Sequence, residues 1–123
     1  MIRRKSDCGI ELREHMRGGD GTVIITNFVL SNAELCESGR LFGRITLNPG
    51  CSIGAHPHEG ESELFYILKG NGIYDDNGTM VPVSEGDVTI CAPGESHGIA
   101  NRSDEVLELI AVIINDSSKE TAK

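Results

Sequence analysis

The 123-residue chain has no tryptophan, and aromatic side chains make up only 4% of it. A core built from this composition rests on Ile, Val and Leu rather than on large rings. Positive charge is scarce as well: 11 Lys and Arg stand against 19 Asp and Glu, for a net charge of -8. That balance argues against a nucleic-acid partner, because phosphate binding needs clustered cations. The one basic cluster, Arg3-Arg4-Lys5, sits beside Asp7 at the start of the sequence. No apolar run reaches 18 residues, so neither a transmembrane helix nor a membrane partner is expected. No apolar segment follows the positively charged first residues, so no secretory signal is expected either. Cys8, Cys36, Cys51 and Cys91 form no CxxC pair. Free thiols in a cytoplasmic chain are the expectation, and a zinc knuckle is unsupported.

What is present is short, β-branched and punctuated. Residues 22–30, 41–47, 63–68, 79–83, 88–91 and 106–114 read as strands, separated by turn signals such as Asn48-Pro49-Gly50, Asn77-Gly78 and Pro93-Gly94. The Asn-Gly pair is a strong hairpin signal. Turns recur roughly every 8 to 12 residues with no long helical period, which predicts an all-β antiparallel sandwich or barrel. Residues 1–21 read as an arm with little core of its own, with a short helical turn at 11–17. Residues 22–114 read as the barrel domain and 115–123 as a flexible, polar C-terminal tail.

Three of the four histidines fall at His56, His58 and His97. On an extended chain His56 and His58 project to the same face, so both imidazoles can reach one cation. Glu63 follows after a polar turn that lets the next strand return beside the first. His97 arrives from elsewhere, after the Pro93-Gly94 turn. Taken alone, a His-x-His pair is commonly two exposed imidazoles, and Glu59, Glu61 and Glu63 read as a charged turn. Taken together, three imidazoles and a carboxylate suit a divalent transition metal ion (Mn, Fe, Co, Ni, Cu or Zn) and suit Ca or Mg poorly.

The joint spacing resembles the cupin superfamily. Gly50, His56, His58, Glu63 and Gly70 fit the first cupin motif, G-x5-H-x-H-x4-E-x6-G, at every fixed position. Gly86, Gly94, His97 and Asn101 fit the second, G-x5-P-x-G-x2-H-x3-N. One position departs: Ala92 stands where the motif has proline, and Pro93 follows it, a local change in the turn that presents His97. The gap of 15 residues between Gly70 and Gly86 is the short form of small microbial cupins. The resemblance implies a jelly-roll barrel (double-stranded β-helix) with a metal held by His56, His58, Glu63 and His97. It also implies a homodimer, often with N-terminal strands exchanged, and likeness to small bacterial members known only as metal-binding.

Around the site, Arg44 is a candidate holder of an anionic substrate and Tyr66 a candidate acid or base. Asn101 is expected to fix the loop after His97, and Cys51 and Cys91 to pack as small apolar residues. The leading functional expectation is a metal-dependent enzyme acting on a small carboxylate or sugar-like molecule, by dioxygen insertion, isomerisation or decarboxylation. The alternative is a non-catalytic metal and small-ligand binding protein, a sensor or carrier. A third reading makes the metal purely structural.

Overall fold

The alternating runs pair into ten strands in the computed structural model, which describes residues 1–117. They are β1 (Gly9–Glu14), β2 (Thr22–Asn27), β3 (Gly39–Leu47), β4 (Ser52–Pro57), β5 (Glu61–Lys69), β6 (Asn71–Asp76), β7 (Thr79–Ser84), β8 (Val88–Cys91), β9 (Ser96–Ala100) and β10 (Leu107–Asn115). All strand pairings are antiparallel. They form a six-stranded sheet in the order β1-β2-β3-β10-β5-β8 and a four-stranded sheet in the order β4-β9-β6-β7. The β6–β7 hairpin turns at Asn77-Gly78, both with positive φ (52° and 95°), as a two-residue hairpin loop requires. No helix among the described residues is long and apolar enough to cross a membrane.

The core follows from strand phase. Ile25, Ile45, Leu109 and Ile67 lie side by side across β2, β3, β10 and β5 and point inward, each no more than 2% exposed. Burying each such side chain stabilises the fold by roughly 1.5–3 kcal/mol relative to exposure. In a neighbouring row the Phe65 ring lies opposite Ala111, and Ala111 opposite Gly43, so the large ring meets small partners.

The same phase settles two candidates. Thr26, Arg44, Ile110, Tyr66 and Val88 form the adjacent row, which faces away from the core. Arg44 and Tyr66 are therefore on the outside of the six-stranded sheet and do not line the barrel. For Arg44 this follows from the inward burial of Ile45 and Leu47, which have the opposite parity on the same strand.

The N-terminal segment also departs from expectation. Residues 9–14 are a strand, not a helical turn, and pair along their whole length with β2. Pairing with the open edge of β2 overrides the weak local preference of a short segment. A 3-10 turn at Met16–Gly18 follows, and Met16 packs against the core. A 3-10 turn at Asn32–Leu35 follows β2. Of the flexible tail expected at 115–123, Asn115 ends β10, and the residues beyond 117 lie outside the described residues.

Candidate metal centre

The two sheets meet at His56, His58, Glu63 and His97, all buried. His56 on β4 and His97 on β9 are cross-strand neighbours in the smaller sheet. Glu63 comes from β5 in the larger sheet, paired with Ile113 of β10 and Cys91 of β8. His58 lies just past the end of β4.

Local backbone irregularity makes this convergence possible. Ile53 and His56 are three residues apart and would face opposite sides of a regular strand. A register shift between them turns both inward, so that Ile53 pairs with Ile99 and His56 with His97. His58 is held by its backbone: its N–H donates to the Glu95 carbonyl (3.0 Å), and its carbonyl accepts from Gly94 N–H (2.7 Å). The turn carrying Ala92 and Pro93 is thereby docked onto His58, and Glu95 Oε1 accepts from Ala92 N–H. The displaced proline does not misdirect His97, whose Nε2 lies 2.9 Å from Glu63 Oε1. Asn101 ties down the loop beyond: its Nδ2 donates to the Leu47 and Glu105 carbonyls, and its Oδ1 accepts from Ser103.

All three imidazoles present Nε2 to one point. His58 Nε2 is 3.1 Å from the Nε2 of both His56 and His97 and 2.9 Å from Glu63 Oε1, while His56 Nε2 is 3.8 Å from Glu63 Oε1. An ion about 2.1 Å from each donor places donors at right angles about 3 Å apart, so the set fits a transition metal. Each outer nitrogen has its own partner. Nδ1–H of His56 donates to the Gly54 carbonyl (2.8 Å), that of His58 to Glu61 Oε2 (2.7 Å), and that of His97 to the Tyr74 hydroxyl (2.7 Å). The Gly54 carbonyl and the Glu61 carboxylate can only accept, so they select the tautomer that leaves Nε2 of His56 and His58 free for a cation, and the Tyr74 hydroxyl can accept from the same tautomer of His97. The Phe65 ring stacks on His97, centroids 4.9 Å apart and planes 21° from parallel.

The electrostatics agree with ligation. Burial pushes the Glu63 carboxyl up, but the surrounding His56, His58 and His97 imidazoles favour its ionised form, outweigh burial and hold the group well below the usual carboxylate range. The Glu63 hydrogen bond raises His58 above 6.5, opposed by burial and aided by Glu61. Arg40 holds Glu61 ionised through paired bonds of 2.9 and 2.8 Å. An Arg40–Glu61–His58 chain thus runs from the surface to the cluster. Burial pushes Tyr74 up to about 12 and Cys91 up to about 11, so both stay neutral near pH 7. Cys91 is buried and Cys51 half-buried, as expected of packing residues, and neither belongs to the ligand cluster.

A cavity of about 100 Å³ opens from His56, His58 and Glu63 toward the surface. Glu11 and Arg13 of β1, Met16 and Arg17 of the turn after it, and Arg40 of β3 line its outer part. Sequence reasoning missed these five, together with Glu61 and Tyr74. The His-x2-Glu spacing of His58 and Glu61 was a usable signal for one of them; the rest come from chain-distant segments. Larger hollows of about 490 and 410 Å³ run along the smaller sheet and touch none of the four cluster residues.

Comparison with known proteins agrees with this geometry. A cupin-domain family model matches residues 43–113. The chain is 46% identical over 114 residues to an oxalate-binding protein of Thermotoga maritima, covering 93% of each. A Thermotoga maritima structure solved as a predicted oxalate decarboxylase is 45% identical, with a TM-score of 0.87 over 94% of this chain and 99% of that one. The cupin domain of Schizosaccharomyces pombe Cnp3 shares the fold at 17% identity, with a TM-score of 0.72 over 93% of this chain and 74% of that one. Its two sheets, its buried three-histidine, one-glutamate cluster and these likenesses place the chain in the cupin superfamily.

Proposed function

We propose that the protein uses a first-row divalent ion at His56, His58, Glu63 and His97 to bind a small dicarboxylate of the oxalate type. The observation that carries this reading is the joining of the four-ligand cluster to a cavity of about 100 Å³. That space is far below the 300–1,000 Å³ typical of drug-sized ligands and favours a very small carboxylate over a sugar. The Thermotoga relative's description as oxalate-binding supports the same class.

A bound divalent ion supplies Lewis acidity and a site for carboxylate oxygen. The chain's own residues orient and enclose: Tyr74, Glu61 and the Gly54 carbonyl fix the imidazoles, and Met16 packs over the core beside the mouth. Binding is better supported than turnover. Decarboxylation needs a proton donor near the ligand, yet Glu61 is held ionised by Arg40, and Glu11 by Asn27 and Arg13. Tyr74 lies behind His97, bonded to its outer nitrogen.

Calorimetric titration of Mn²⁺-loaded protein with oxalate, with product analysis of the same mixture, tests the reading. Saturable binding with oxalate recovered intact is expected. Failure to bind oxalate overturns the reading, and release of formate or CO₂ establishes the enzyme instead.

The outer face of the larger sheet supports a homodimer. Phe42, Tyr66, Val88 and Ile90 are exposed there, around Arg44, whose buried Nε has no partner among the described residues. Four free cysteines support a reducing, cytoplasmic location.

A further inference from the structure

The residues at the mouth of the metal cavity carry a charge pattern that the rest of this acidic protein does not predict. Arg13, Arg17 and Arg40 line the cavity together with Glu11 and Glu63, and Glu61 stands beside it on Arg40. Two of the arginines are already committed. Arg40 forks onto Glu61, and Arg13 pairs with Glu11 at 3.0 Å. Glu63 belongs to the ligand cluster. Arg17 is the cation left over, with no hydrogen-bond or ion-pair partner among the described residues.

Its placement is built in. His15 and Arg17 both adopt left-handed backbone conformations, with φ of 51° and 55°, which non-glycine residues rarely do. Two backbone bonds of 2.9 Å close the turn, Gly18 N–H to the His15 carbonyl and Gly19 N–H to the Met16 carbonyl. The turn lies tight on β4 because Gly54 has no side chain: a Cβ there would run into the Arg17 carbonyl. Strained backbone of this kind persists where surrounding packing over-determines it, and it clusters at ligand sites.

We propose that Arg17 selects a dianion at the metal site, making the N-terminal turn the specificity element of the protein. The inference rests on the dicarboxylate-binding reading above. The three guanidinium groups and three carboxylates cancel, so a divalent ion leaves the site with two positive charges. A dianion neutralises it, and a monocarboxylate leaves one charge uncompensated. A dicarboxylate held at the cluster also leaves oxygens toward the mouth, where the planar Arg17 fork can donate to two of them. Removing the Arg17 charge lowers the site to a single positive charge and shifts its preference toward monoanions.

The test is calorimetric titration of oxalate and of acetate into Mn²⁺-loaded wild-type, Arg17→Gln and Arg17→Lys proteins, with metal content measured for each. Arg17→Gln is expected to weaken oxalate at least about tenfold, the scale of one charge-assisted contact, and to leave acetate and metal content unchanged. Arg17→Lys, which keeps the charge but not the fork, is expected to recover part of the oxalate affinity. Equal oxalate affinity in wild type and Arg17→Gln overturns the inference alone, as does an equal loss of oxalate and acetate. A wild-type protein that holds Mn²⁺ but binds no oxalate overturns the binding reading and this inference with it.

Discussion

Replacing Glu61 with Gln tests the metal centre without touching a ligand. Glu61 accepts on both sides, from His58 Nδ1–H at 2.7 Å and from the Arg40 fork at 2.9 and 2.8 Å. Glutamine has one oxygen and one NH2 group. If its oxygen serves His58, its NH2 confronts the Arg40 donors; if it turns round, its NH2 confronts His58 N–H. One of the bonds is lost either way, and so is the negative charge that makes His58 a stronger donor to a cation. Losing such an outer partner costs about 10- to 100-fold in metal affinity. That corresponds to about 1.4 to 2.8 kcal/mol. Arg40→Ala removes the same chain one step further out, from a half-exposed ion pair worth about 1 kcal/mol or less, so a smaller loss is expected. The assay is competition for Zn²⁺ or Mn²⁺ against a chromophoric chelator, with circular dichroism to confirm the barrel. A folded Glu61→Gln protein with affinity within about twofold of wild type would refute the argument, and so would Arg40→Ala proving worse than Glu61→Gln.

Tyr74→Phe strands the buried His97 Nδ1–H, and an unsatisfied buried donor costs about 1–3 kcal/mol; weaker metal retention in a folded protein is expected from the same competition assay. Metal retention should also depend on pH. The metal needs neutral His58, whose pKa in the metal-free protein is raised, so affinity should begin to fall above pH 6.5 on acidification. The metal-free barrel behaves oppositely: the stability gained from protonated His58 is fully present below pH 6.5 and is lost as pH rises through the raised value. Glu63 stays ionised throughout that window. Metal affinity that is flat between pH 8 and pH 5 would count against histidine ligation. Gly54→Ala drives a methyl group into the Arg17 carbonyl and should cost about 1–3 kcal/mol in a denaturant melt. It should weaken oxalate more than metal; the reverse order would mean that the turn serves the ligand cluster rather than the mouth.

The chain order of strands and turns was legible because it depends on short spacing, and the cluster of His56, His58, Glu63 and His97 because its residues sit at fixed places in two glycine-bounded motifs. A period of two placed His56 and His58 on one face, and Asn77-Gly78 marked its hairpin by backbone conformation alone. The two glycine-bounded motifs brought in Glu63 and His97. Where the reading went astray, the deciding contact was between distant segments. Arg44 and Tyr66 share a row on the outer face, and alternation within one strand cannot say which parity faces in. Tyr74, not Tyr66, reaches the site because β6 pairs with β9 and points the ring at His97.

By itself, then, the sequence determined an all-β chain and the residue types of one cluster that could hold a metal ion, since period, turn chemistry and side-chain type are local properties. Tertiary structure decided the rest. It turned Ile53 and His56 to the same side through a break in register, gave each imidazole its outer partner, and carried the N-terminal segment across to the cavity mouth. The mouth could be assembled only by folding, because Arg17 and Arg40 come to the cavity from separate segments of the chain, the first on a turn packed on β4 and the second held by the Glu61 carboxylate.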